Sequence, residues 1–287
     1  MQFEDGGRLG RFYGQQSKYG AIMDDKEIIR GRIRDLWART DRGDYISHTG
    51  FLPLDLQSFA AQELIREKIP AGAEGRAGSF FFGGFEEADR RVLFFLPSYM
   101  GPDDLIREIR SGEGPVACIR IRPGGAGFAK APGHRDYLGS LMNLGITREQ
   151  VGDILCSDEE AYVFAIREIA PFICRELIRV RNVSVEAVEV PPTECCLGTR
   201  TEAGTGSSAS ERIDSLAALV FKLSRSQAQR LVEQEKVFSD GRVITSSSYC
   251  PRPGERISVR GFGKFRYLGT KGQTRKGRLI VAFERYV

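Results

Sequence analysis

A chain of 287 residues, 41% hydrophobic and 28% charged, has the composition of a folded protein of two or three domains. Its net charge of +4 hides a partition, because residues 210–287 hold sixteen Lys and Arg against seven Asp and Glu while residues 1–209 carry a surplus of acids. No run of about 18 apolar residues is present and the first residues show no apolar signal core, which excludes a membrane-spanning reading and sets a cytoplasmic expectation.

Residues 1–22 are rich in glycine and show no helical period, so they read as a flexible extension, with translation starting at Met1 or at Met23. "MDDKEIIRGRIRDLWART" then places Ile28, Ile29, Ile33, Leu36 and Trp37 at helical spacing, with Asp24 and Asp25 suited to the positive end of a helix. "LDLQSFAAQELIREKIP" reads as a second amphipathic helix ended by Pro70, and together the two make a small helical N-terminal domain over 23–75.

A middle domain is expected over 76–190. "SFFFGGF" and "RRVLFFLPSY" read as a strand pair, and "GPDDLIREIRS" as a short helix opened by a proline and two acids. From residue 116 the elements fall into the order βαββαβ, with strands at "VACIRIR", "VGDILC", "AYVFAI" and "NVSVEAVEV" and helices at "HRDYLGSLMNLGI" and "REIAPFICRELIRV". Pro171 must then sit in the first turn of the second helix. This is the split βαβ arrangement shared by ferredoxin-like and RNA-recognition folds. Tyr162 and Phe164 share a face of the third strand, where RNA-recognition folds place stacking aromatics, although the aromatic-glycine signature is absent and core packing suits the two rings better. The fold class is thus α+β and multidomain, with a linker over 191–209, where "PPTECCLGTRTEAGTGSSAS" concentrates Pro, Gly, Ser and Thr.

The basic unit, residues 210–287, follows. An acidic body carrying one basic end points to a polyanionic partner. In "SRSQAQRLVEQEK", Ser224 is a natural helix cap, Ala228, Leu231 and Val232 form the buried side, and Arg225, Gln229 and Arg230 fall elsewhere. A helix start bearing guanidinium groups and outward N–H groups suits a phosphate. "KVFSDGRVI" reads as a tight hairpin turning at Asp240-Gly241. "ERISVRGFGKFRYLG" and "GRLIVAFERYV" supply further strands, with a bulge or close approach at Gly261 and Gly263.

No catalytic constellation emerges. "GGAGFAKAPGHRDYLG" follows a strand and precedes a helix but fits neither a P-loop nor a dinucleotide loop. It reads as a flexible loop whose Lys130, with His134 and Arg135, offers a secondary RNA contact, while His134 and Asp136 cap the helix start. No GxSxG elbow is present. The six cysteines form no CxxC pair and only His48 and His134 could join them, so neither a metal site nor a disulfide framework is expected, and no cofactor.

Residues 211–264 resemble an S4-type RNA-binding domain through "RIDSLAALVFKLSRSQAQRLVEQEKVFSDGRVI" and "PGERISVRGFGKF". Where that family usually has leucine, glycine and asparagine, this chain has Ile213, Glu235 and Asp240. "GHRDYLGSLMNLGITREQVGDIL" and "RGFGKFRYLGTKGQTRKGRLIV" resemble the YlmH-type S4-domain proteins, a likeness that spans about residues 23–287. The resemblance implies a non-catalytic, monomeric factor of the large ribosomal subunit in the quality control of stalled nascent chains. Its partners would be rRNA and peptidyl-tRNA, with no DNA and no membrane. Arg212, Lys222, Ser224, Arg225, Gln229, Arg230, Lys236, Arg260 and Lys264 are the contact candidates, the alternative for Arg212 being to pair with Asp214 or a strand and hold the fold together. The alternatives are an S4-guided RNA-modifying enzyme and an adaptor linked to cell division. A pseudouridine synthase would need a catalytic aspartate in a GRLD-like loop, and the near match "GRLG" at 7–10 lacks it.

Overall fold

The computed structural model describes the backbone of residues 10–124, 131–197 and 201–286, with side chains from residue 25 onward. The first unit runs α1 (Gly10–Gly43), β1 (Ser47–Leu52), α2 (Leu54–Arg66), β2 (Gly78–Phe82), β3 (Arg91–Leu96) and α3 (Pro102–Ser111). Its three strands form an antiparallel sheet in the order β1-β3-β2. Ile29 and Ile33 of α1 and Ala60 and Leu64 of α2 pack on Leu93 and Phe95, at the centre of this sheet.

Three features depart from the expectation. The helical N-terminal unit also contains a strand, β1, whose sequence SHTGFL carries no clean period-two signal. The strand pair β2–β3, expected with the middle domain from residue 76, hydrogen-bonds to β1 in its own sheet. Residues 10–22, expected as part of a flexible extension, continue the helical backbone of α1, since a nucleated helix gains one bond for each residue added. Residues 1–9 of that extension lie outside the described residues.

The middle unit follows the expected order. Its elements are β4 (Val116–Pro123), α4 (His134–Asn143), β5 (Val151–Cys156), β6 (Ala161–Ile166), α5 (Ala170–Glu176), β7 (Arg179–Val180) and β8 (Val183–Val190). The sheet order is β5-β6-β4-β8-β7, all antiparallel, so β6 lies between β4 and β5 as a split βαβ unit requires. Pro171 sits in the first turn of α5, where its missing N–H costs nothing. One face of this sheet, with Ile119, Val163 and Ala165, is covered by Tyr137 and Leu141 of α4 and Ile173 of α5.

The opposite face decides what the middle unit can do. Val116, Cys118, Tyr162 and Phe164 pack against Phe51, Phe82, Phe94 and Leu96 of the first unit and against Leu105 and Ile109 of α3. Tyr162 and Phe164 are 2% and 1% exposed. Both faces of both sheets are therefore apolar in their central strands, which is why β3 and β6 read as continuous apolar runs rather than alternating ones.

The C-terminal unit contains β9 (Thr201–Ser208), α6 (Ile213–Phe221), α7 (Arg225–Glu233), β10 (Val237–Ser239), β11 (Arg242–Val243), β12 (Arg256–Val259), β13 (Gly263–Gln273) and β14 (Leu279–Tyr286). Its sheet runs β11-β10-β12-β13-β14-β9. β9 lies inside the segment expected as a linker, and it pairs with the whole of β14, from Thr201 opposite Tyr286 to Ser208 opposite Leu279. Its glycines are there for space: a Cβ on Gly206 would stand 2.6 Å from Leu219 of α6, and one on Gly204 2.5 Å from Phe283. The composition of a linker is here the composition of a strand lying under bulky side chains.

Candidate nucleic-acid interface

The basic cluster is built around one acid. Asp214, in the first turn of α6, has a side chain only 1% exposed. Its Oδ1 accepts from Arg212 Nε at 3.1 Å and from the Ser215 backbone N–H at 2.9 Å; its Oδ2 accepts from Arg212 Nη2 at 3.1 Å and from Arg225 Nε at 3.3 Å. Burial by itself would raise this carboxyl's pKa, but the hydrogen bonds and charges of Arg212 and Arg225 outweigh it and hold the group below the usual range. The two guanidinium groups are bound on one edge and open on the other, with side chains 37% and 57% exposed.

The chain between the helices sets Arg225 in place. Lys222 closes α6 in the left-handed conformation at φ 55°, which turns the chain sharply. Ser224 then caps α7 reciprocally: its hydroxyl accepts from the Gln227 N–H at 3.2 Å, and Gln227 Oε1 accepts from the Ser224 N–H at 2.9 Å. Ser224 thus positions the helix start. Arg225 is the first residue of α7, at the end where the partial positive charge of the helix lies. On the exposed side of α7, Arg230 Nε donates to the Ser226 carbonyl at 3.3 Å and Gln229 Nε2 to Glu233 at 3.1 Å. Lys236 reaches Gln234 at 2.8 Å.

At residue 235 the backbone keeps a requirement that the residue type hides. Glu235 has φ 54°, and in the β10–β11 turn Asp240 and Gly241 have φ 45° and 82°. These are the left-handed positions that glycine and asparagine serve at least cost. The two-residue turn joins Ser239 to Arg242, the tight hairpin expected from "SDG".

Arg260 and Lys264 occupy a different place. Arg260 Nη2 pairs with Asp55 at 3.0 Å and Lys264 Nζ with Asp89 at 2.7 Å. Beside them Arg266 pairs with Glu87 at 2.7 Å, Arg256 donates to the Glu87 carbonyl at 2.8 Å, and the Ser58 hydroxyl donates to the Gly241 carbonyl. Cations of β12, β13 and the turn between them therefore face acids of the first unit and hold the two units together. Asp153 of β5 joins the same seam by accepting from the Asp89 and Arg90 backbone N–H groups at 2.5 and 3.4 Å, and burial followed by the Asp89 charge pushes its pKa up to about 6.

The secondary candidates sit apart from the α6–α7 cluster in the chain. His134 and Arg135 open α4, and Asp136 caps it by accepting from the Gly133 N–H at 2.9 Å. Burial, then the charges of Arg148 and Arg135, lowers the His134 pKa. Lys130 lies outside the described residues. The expectation left out as contact candidates the exposed cations Lys271, near the end of β13, and Arg275, Lys276 and Arg278 of the β13–β14 turn, although the motif "TKGQTRKGR" displays them. Arg278 is tied to Ser207 of β9 at 2.8 and 3.0 Å. Among the described residues no group of three or more His, Cys, Asp or Glu is placed to hold a metal ion, and no helix is long and apolar enough to cross a membrane.

Two family models match the chain: a putative RNA-binding domain in YlmH over residues 127–194 and the S4 domain over residues 211–257. The chain is 26% identical over 224 residues to the ribosome-associated protein quality control protein P2 of Bacillus subtilis, covering 77% of this chain and 84% of that one. Among solved structures, the cell division protein ylmH from Streptococcus pneumoniae aligns with a TM-score of 0.42 at 15% identity, covering 68% of this chain and 99% of that one.

Proposed function

We propose that this chain, a YlmH-type S4-domain protein, binds rRNA and peptidyl-tRNA on the large ribosomal subunit, as a non-catalytic factor in the handling of stalled nascent chains. The observation that carries the reading is the buried Asp214 holding Arg212 and Arg225 half-open at the start of α7. A buried carboxylate fixes the two guanidinium groups without covering them, so each keeps free N–H groups for phosphate oxygens. The likeness to a ribosome-associated relative supports the ribosome as the site of action. The closed face of the middle sheet argues that stacking on Tyr162 and Phe164 plays no part.

Affinity on this reading comes mainly from phosphate contacts and falls steeply with salt. Specificity comes from RNA shape. The test is co-sedimentation of the purified protein with ribosomal subunits at low and moderate salt, beside the double variant Arg225→Ala/Arg230→Ala. Salt-sensitive travel with the large subunit, lost in the variant, is expected, at about 1–3 kcal/mol per contact. Travel that survives both substitutions at moderate salt would place the contact face elsewhere.

A further inference from the structure

Phe262 stands at the tip of the turn between β12 and β13 and is 42% exposed. The residues on either side of it, Gly261 and Gly263, have φ 88° and 117°, and a Cβ on Gly261 would meet nothing within 4 Å. The backbone, not crowding, requires glycine there, and the turn is closed by a bond from the Phe262 N–H to the Val259 carbonyl at 3.0 Å. The chain thus holds an apolar ring outward on a defined turn.

Three further observations surround that ring. Phe262 leans on Phe221 at 6.2 Å between centroids, and Phe221 meets the buried Phe265 edge-on at 5.8 Å, so the exposed ring is braced from the core. The Arg285 guanidinium lies over Phe221 at 5.7 Å, and its Nε is buried with no hydrogen-bond partner among the described residues. Lys222 directly follows Phe221, is exposed, and has no carboxylate partner among the described residues.

We propose that Phe262, braced by Phe221, which itself carries Arg285 over its ring and is followed in the chain by Lys222, is a subsite for one unstacked nucleotide of an RNA ligand, the base lying on the Phe262 ring and the phosphate meeting the cations. The proposal rests on the RNA-binding reading above and adds to it a contact that is not electrostatic. An aromatic face set among cations without carboxylate partners is the combination by which single-stranded nucleic acid is held. A single exposed ring among cations is too small an apolar area for a hydrophobic peptide.

The experiment uses the full chain and an RNA hairpin carrying 2-aminopurine at a one-nucleotide bulge, with the fully paired hairpin as control. Stacking on Phe262 quenches the 2-aminopurine fluorescence of the bulged probe. Phe262→Ala is expected to lose that quenching and about tenfold or more in affinity for the bulged hairpin. Phe262→Tyr keeps both, and Phe262→Leu, which preserves an apolar contact with Phe221, loses the quenching while folding normally. The salt dependence of binding is unchanged in the Phe262 variants, whereas Lys222→Ala lowers the log–log slope by about one. If the Phe262→Leu protein quenches and binds as the wild type does, the subsite does not exist. If the wild type binds neither hairpin, the RNA-binding reading itself falls.

Discussion

Replacing Asp214 with alanine tests the centre of the proposed interface. The substitution removes two hydrogen bonds from Arg212, one from Arg225, one from the Ser215 N–H and a long one from the Ser215 hydroxyl. A wholly buried ion pair broken on one side costs about 3–5 kcal/mol. Here the arginine side chains are 37% and 57% exposed and rehydrate when released, so their shares shrink toward the ~0–1 kcal/mol of surface pairs. The Ser215 N–H retains a second acceptor, the Arg212 carbonyl at 3.0 Å. The expected loss is therefore about 2–3 kcal/mol. It should appear as faster hydrogen exchange in peptides spanning 213–243, because the one tryptophan, Trp37, lies in the first unit and does not report on this one. The pH dependence has a definite sign. The folded-state pKa of Asp214 is depressed, so its contribution is present above the unfolded carboxylate value near ~3.9 and is lost as pH falls through the lower folded value. The difference between wild type and variant should hold steady from about pH 5 to 8 and vanish in stronger acid. A loss below about 0.5 kcal/mol at neutral pH would mean that the helix start stands without its carboxylate and that the clamp is incidental.

Other consequences can be checked separately. Asp153 has the opposite sign: with a folded pKa raised to about 6, it makes the wild type lose on the order of 2–3 kcal/mol as pH rises from ~4 to ~6, and Asp153→Asn should flatten that part of the denaturation profile. An unchanged profile would show that the carboxylate is solvated. Phe164→Ala, which removes a buried ring 4.9 Å from Phe85, should cost about 3–5 kcal/mol by urea titration while leaving the RNA affinity of the folded protein within about twofold. Selective loss of RNA binding would instead revive a stacking role for the middle sheet. Asp55→Lys combined with Asp89→Lys puts like charges across the seam from Arg260 and Lys264, and should expand the molecule in small-angle scattering. Adding Arg260→Glu and Lys264→Glu should restore compactness; no expansion in the first variant would mean that these pairs do not hold the units together.

Much of the C-terminal unit was legible in the chain because its determinants are local. Ser224 and Gln227 make a reciprocal cap three residues apart, and Asp240-Gly241 can form only a narrow set of turns. The βαββαβ order was legible for the same reason: each element announces itself by its own period and its own breakers. Tertiary structure alone decided the long-range questions. The Pro, Gly, Ser and Thr content of 191–209 read as a linker, and only pairing with β14, beneath Phe283 and Leu219, makes Thr201–Ser208 a strand. Tyr162 and Phe164 could face RNA or core until the first unit's sheet covered them. Arg260 and Lys264 looked like RNA ligands in a basic stretch, and their partners Asp55 and Asp89 lie far earlier in the chain. Caps and turns act over a few residues and leave their mark in the letters, whereas burial and charge pairing are set by whichever distant surface the fold brings near.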